Sequence, residues 1–270
     1  MTELIDNWGQ PAFAALLDAG IALLAAGLLL GPTAPQRRAA PTALIGGALL
    51  GYVALATINM TDTALSAFPA ALGQVLWHTH FGRTQLLAFA AWGMLCLAGN
   101  RRSIRWVAVL TLIVARAATG HAADAGWVSP ALLVQTLHLS GMAAWAGTVF
   151  SASLHPPRRD QATALGQRLS SLAGWSLGLI VLTGVWNLTR ITHDAPWQAN
   201  ADYTGWLLAK GGLIGLAVTL GALNRWRYLP HIARLDGRAH RRFWQILRLE
   251  GLLLTVVLLL AARLAVTMPG

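Results

Sequence analysis

The sequence predicts an all-α fold, a polytopic membrane helix bundle of eight transmembrane helices forming one domain over residues 1–270. Three observations predict it. Hydrophobic residues make up 56% of the chain and charged residues 11%, with a mean hydropathy of +0.54, whereas a soluble domain carries about 25% charged residues. The apolar residues fall into eight runs of the length a helix needs to cross a bilayer, roughly 20 residues. The basic residues sit in every second connection between those runs, a topology signal rather than a random scatter.

The eight runs are 12–31, 42–61, 83–99, 104–120, 130–150, 169–190, 203–224 and 243–264. Glu3 and Asp6 precede the first, with no basic residue before it. It therefore lacks the positive leader of a cleaved secretory signal and is expected to be a retained helix. Gly46, Gly47 and Gly51 in the second run, Gly141 and Gly147 in the fifth, Gly174 and Gly178 in the sixth, and Gly211, Gly212 and Gly215 in the seventh suit close helix approach in lipid. The connection 62–82 is the longest outward one. Its Phe68, Leu72, Val75, Leu76 and Trp77 favour the membrane interface, where the segment would lid a site.

Loop charge orients the bundle. The odd connections hold Arg37 and Arg38; Arg101, Arg102 and Arg105; Arg158, Arg159 and Arg168; and the series from Arg225 to Arg242. The even connections hold Asp62, Asp124, Asp194 and Asp202. Cytoplasmic loops carry the basic excess, so the odd loops are cytoplasmic and both termini face outward.

Several function classes are excluded. The 20 basic against 10 acidic residues mark loops rather than a nucleic-acid surface, so no nucleic-acid partner is expected. Cys96 stands alone, which removes disulfides and thiolate clusters within the chain and reads as a small buried hydrophobe. The glycines form neither a phosphate loop nor a dinucleotide fingerprint, so transport would run on a gradient, on metal speciation or on a partner. No nucleophile motif supports Ser-His-Asp chemistry, and no enzymatic activity is expected.

The histidines carry the functional argument. His78, His80, His121 and His193 fall at the outer surface, while His155, His231 and His240 fall on the cytoplasmic side. His138 lies within the fifth run, roughly 12 Å below its outer end. Ionisable groups at that depth face a bundle interior or a water-filled cavity, so His138 is either a ligand or a core histidine bonded to a neighbouring helix. Met142 lies one turn deeper on the same face. The turn after the fourth run brings His121 to the outer mouth of the same corner, with Asp124 beside it in sequence. Imidazoles and a thioether suit copper, nitrogen serving Cu(II) and soft sulfur Cu(I). In His78-Thr79-His80 both imidazoles point one way if the segment is extended and to roughly opposite sides if it is helical. Met60 and His193 are secondary candidates, and Met60 alone reads more simply as packing. Arg116 is expected to pair with Asp124, Asp62 or Asp202. Lys210, at a depth similar to that of His138, needs a partner or a route to the headgroups.

These residues also carry a resemblance. Thr119-Gly120-His121-Ala122, Leu137-His138-Leu139 and Ala144-Trp145-Ala146-Gly147, with Phe81-Gly82-Arg83, Thr183-Gly184 and Asn187, the run from Tyr203 to Lys210, and Asn224-Arg225, resemble the CopD family of bacterial copper-resistance and copper-uptake inner-membrane proteins. The resemblance covers about residues 81–225. It departs at Trp145-Ala146-Gly147-Thr148, where the family often shows Trp-Leu-Gly-Gly. It implies an eight-helix bundle in the inner membrane that handles periplasmic copper ion, delivered in many cases by a periplasmic CopC-type copper-binding protein. His121 and His138 match family motif positions, whereas His78 and His80 follow from outer-face clustering alone.

The expectation is capture of copper by His78, His80 and His121, transfer to His138 with Met142, and import. Below Met142 no ligand ladder continues until His155, which keeps outer-face storage or assembly as an alternative. A haem-b redox protein is the other rival. It needs two histidines at matched depth on facing helices, and His138 is the one clearly intramembrane histidine.

Overall fold

The computed structural model describes residues 2–31, 39–62, 65–120, 122, 126–156, 159–194, 201–232 and 237–267. All regular structure among them is helical: α1 (Thr2–Leu30), α2 (Ala39–Thr61), a short turn at Leu65–Ala67, α3 (Phe68–His78), α4 (His80–Leu97), α5 (Arg102–Ala118), α6 (Pro130–Leu154), α7 (Arg159–Asp194), α8 (Ala201–Leu223), a π-helical turn (Asn224–Tyr228), α9 (Leu229–Ile232) and α10 (Gly237–Leu264). The eight predicted runs fall on α1, α2, α4, α5, α6, α7, α8 and α10. Five helical stretches are long and apolar enough to cross a membrane: Trp8–Leu30, Ala39–Thr61, Gln161–Arg190, Ala201–Ile232 and Gly237–Leu264. Length and composition thus mark five spans among the described residues, where the sequence reading counts eight.

α1 runs through the middle of the bundle, against α2, α5, α6 and α10; α4 packs on α2 and α5, α7 on α6, and α8 on α10. The central face of α1 carries Leu17, Ile21, Ala22, Leu24, Ala25 and Leu28, all buried in the main core, at the spacing that keeps residues on one helical stripe. Two small residues set a close crossing of α1 and α6. Gly147 of α6 lies so near Ala22 of α1 that an added Cβ would land on the Ala22 carbonyl oxygen, the close approach that glycine permits between membrane helices.

Three boundaries differ from expectation for physical reasons. α1 begins at Thr2 rather than at residue 12, and Pro11 is carried inside the helix; burial of α1 at the centre outweighs the missing backbone N–H. α7 begins at Arg159 rather than at residue 169 because Ala162, Leu165 and Leu169 are buried and extend one packed stripe through a segment that otherwise reads as a basic loop. The connection 62–82 contains α3, whose Ala71 and Val75 are buried while Trp77 is exposed.

The corner between α3 and α4 is tight. Thr79 is extended (φ −108°, ψ 155°) and caps α4 by accepting the Gly82 N–H at 2.9 Å, while its hydroxyl donates to Val75 O at 2.7 Å. A Cβ on Gly82 would collide with the Val75 and Leu76 backbone. His78 therefore closes one helix and His80 opens the next, so neither the wholly extended nor the wholly helical reading of His78-Thr79-His80 holds.

Candidate metal centre

α6 starts where Ser129 accepts the Leu132 N–H at 3.2 Å and Pro130 occupies the first turn, an N-cap followed by a residue with no N–H to leave unsatisfied. Two turns on, His138 meets α7. Its Nδ1 lies 3.0 Å from Thr183 Oγ1, and Thr183 Oγ1 is itself 2.6 Å from Leu179 O. The threonine proton goes to that carbonyl, so the hydroxyl accepts from His138 Nδ1–H and the imidazole keeps its lone pair on Nε2. Donating one ring N–H to a fixed acceptor sets ring orientation and tautomer, as it does for metal-binding histidines, whose usual acceptors are carboxylates, backbone carbonyls and water. Gly184 lies against the ring: a Cβ there would stand 3.5 Å from His138 Cε1, at ordinary contact distance. One turn towards the start of α6, Asn187 donates to Gln135 at 2.9 Å, extending a polar seam along α6 and α7. Lys210 of α8 is a charged neighbour of His138. Met142 is partly buried against the main core, one turn from His138.

The outer-face candidates divide. His78 is exposed. His80 is exposed but tied: its Nε2 donates to Ala118 O at 2.8 Å, and its ring lies 5.4 Å from Trp127. Because a carbonyl can only accept, His80 keeps its lone pair on Nδ1. The bond places His80 at the end of α5, from which the chain runs on to His121. His121 and Asp124 lie outside the described residues. His193 is in the last turn of α7, and its side chain also lies outside them. Met60 is exposed in the last turn of α2. Among the described residues no three His, Cys, Asp or Glu side chains gather as a metal group.

Two expectations are corrected. Arg116 pairs with Asp18 and, among the described residues, not with Asp62 or Asp202: its Nε donates to Oδ1 at 2.9 Å and its Nη2 to Oδ2 at 3.3 Å. Its guanidinium also lies 5.7 Å from the Tyr52 ring centroid. Cys96 is exposed rather than buried, because its face of α4 points away from α2 and α5.

Sequence reasoning missed Glu250. It is buried in α10 and accepts the Trp145 indole N–H at 3.0 Å. The signal was present, since a lone carboxylate inside an apolar run is costly without a role. Glu250 borders a cavity of about 520 Å³ between α6, α7, α8 and α10, which Asn224 and Arg225 also line.

Residues 163–264 match the family model of CopD, copper resistance protein D. The matched segment holds most of α7 with all of α8 and α10, and so lies further towards the C-terminus than the motifs of 81–225. The chain is also 28% identical over 178 residues to the copper transport protein CutJ of Bacillus subtilis (strain 168), across 59% of this chain and 33% of that protein. The chain therefore spans about a third of that relative's length. No solved structure matches. The two matches support a CopD-family assignment for this chain, carried most directly by α7, α8 and α10.

Proposed function

We propose that this is a non-enzymatic, copper-handling protein of the bacterial inner membrane that captures periplasmic copper and mediates its import. In this reading eight helices span the bilayer, the basic connections are cytoplasmic, and both termini are periplasmic. The observation that carries it is the match of 163–264 to copper resistance protein D, together with the similarity to a copper transport protein. The geometry adds a reason to choose His138: Thr183, which orients it through Nδ1, belongs to the matched segment.

Copper is the cargo. His78, His80 with its unengaged Nδ1, and His121 receive it at the outer face, with Met60, Asp124 and His193 as further donors there. A periplasmic CopC-type protein is the proposed source. The deeper stop is His138 Nε2 with the Met142 thioether, a pair of nitrogen and soft sulfur that accepts either copper oxidation state.

Copper titration of the purified protein in detergent tests the site. Parent protein binds copper and His138→Ala loses the tightest step; unchanged binding in His138→Ala removes the deep site from the reading. Cellular copper content separates import from retention at the outer face: it falls in His138→Ala if the protein imports, and stays at the parent level if copper is only held outside.

A further inference from the structure

The cavity between α6, α7, α8 and α10 presents a carboxylate that the copper reading does not use. Glu250 is 3% exposed and lies in the middle of the apolar stretch Gly237–Leu264, about 20 Å along the helix from Gly237. The indole N–H of Trp145 is its hydrogen-bond donor, and among the described residues it has no ion-pair partner. We propose that Glu250 is a membrane-buried proton-binding site, loaded through this cavity from the end of the bundle that carries Arg225.

One neutral donor compensates an ionised carboxylate poorly in an apolar span, whereas a proton removes the charge altogether. The step balances: the carboxylate takes a proton from hydronium, water is left, and the neutral acid keeps its carbonyl for the Trp145 N–H. Gly221 of α8 lies against the carboxyl: a Cβ there would stand 3.5 Å from Oε1 and 3.6 Å from Oε2, at ordinary contact distance.

The cavity is lined mostly by apolar side chains, with a few polar groups spaced along it. Asn224 lines it and is 4% exposed; its Nδ2 donates to Phe243 O at 3.1 Å, while its Oδ1 is buried with no hydrogen-bond partner. An unmatched acceptor of this kind is a place for water. Ser170 and Arg225 follow towards the exposed Trp226. The helix widens there into the π turn Asn224–Tyr228, a distortion that often marks functional positions.

The charged groups around Glu250 leave it to titrate without a local counter-ion. Arg225 lines the same cavity, with its Nη1 donating to Ser170 Oγ at 2.8 Å. Lys210 is about 16 Å along α8 from Gly221, and His138 about 10 Å along α6 from Trp145. On α1, Asp18 is paired with Arg116. Arg248 on α10 is exposed, as are Arg227 and His231 at the π turn and α9.

Infrared difference spectra of the full chain in metal-free lipid nanodiscs, recorded across pH, test the proposal. A protonated-carboxyl band is expected that is lost in Glu250→Gln. In Trp145→Phe it moves to higher wavenumber, because its carbonyl no longer receives the indole proton. Its deuterium shift slows in Gly174→Phe, whose ring enters the cavity beside Arg225. A Glu250→Gln spectrum identical to the parent overturns the proposal. Should that variant fail to fold, an unmoved band in Trp145→Phe overturns it equally. Deuterium exchange undiminished in Gly174→Phe overturns the route. No copper is present, so failure of the copper reading leaves this result intact, and the reverse also holds.

Discussion

Arg116 of α5 and Asp18 of α1 form a two-point ion pair in the bundle interior, with Nε–Oδ1 at 2.9 Å and Nη2–Oδ2 at 3.3 Å. The two side chains are only 13% and 9% exposed. The pair fastens the central helix to α5, and Arg102 adds a second tie between the same helices by donating to Leu28 O.

Breaking that pair is expected to cost more than deleting it. Asp18→Asn or Arg116→Leu alone leaves a buried charge without its partner, a loss of about 3–5 kcal/mol. The double variant Asp18→Leu with Arg116→Met removes both charges, and replacement of both partners is often close to neutral. Thermal unfolding in detergent checks this, with the double variant melting above either single one.

Thr183→Val keeps the shape of the side chain and removes the acceptor for His138 Nδ1–H. A stability loss of about 1–3 kcal/mol is expected, from leaving a buried donor unsatisfied. Under the proposed function, copper affinity falls as well, by about 10–100-fold, the usual effect of losing an orienting partner. Thr183→Ser restores both. Unfolding and copper titration of the three proteins side by side provide the check.

Gly147→Ala is expected to disrupt the crossing of α1 and α6, because the new methyl group meets the Ala22 carbonyl oxygen and backbone cannot swing aside. Overpacking of this sort costs about 1–3 kcal/mol, occasionally more. Gly178→Ala, in α7, meets nothing within 4 Å and serves as the control. Yield of folded protein and melting temperature separate the two.

His78 and His80 are expected to differ in stability although both are exposed. His78→Ala leaves the fold unaltered. His80→Ala removes the bond to Ala118 O and the contact with Trp127, at a cost of about 0.5–1.5 kcal/mol for the hydrogen bond. Melting temperatures show the difference, and copper titration then reports whether either imidazole contributes to capture.

Much of this protein could be read along the chain. Apolar runs of sufficient length located the long helices, because helix formation and burial in lipid depend on composition within one segment. His138 could be singled out for the same reason: an imidazole inside such a run stands out whatever surrounds it. Its tautomer could not, because it depends on Thr183 of another helix. The same limit explains the wrong partners chosen for Arg116, since Asp18 is 98 positions away, and the silence over Glu250, which meets Trp145 across 105 positions. The sequence by itself determined an all-helical, strongly apolar chain and which polar residues must find a reason to lie inside it. The tertiary structure alone decided which of them meet, because a helix's period sets the face a side chain occupies, while packing of helix on helix sets what that face touches.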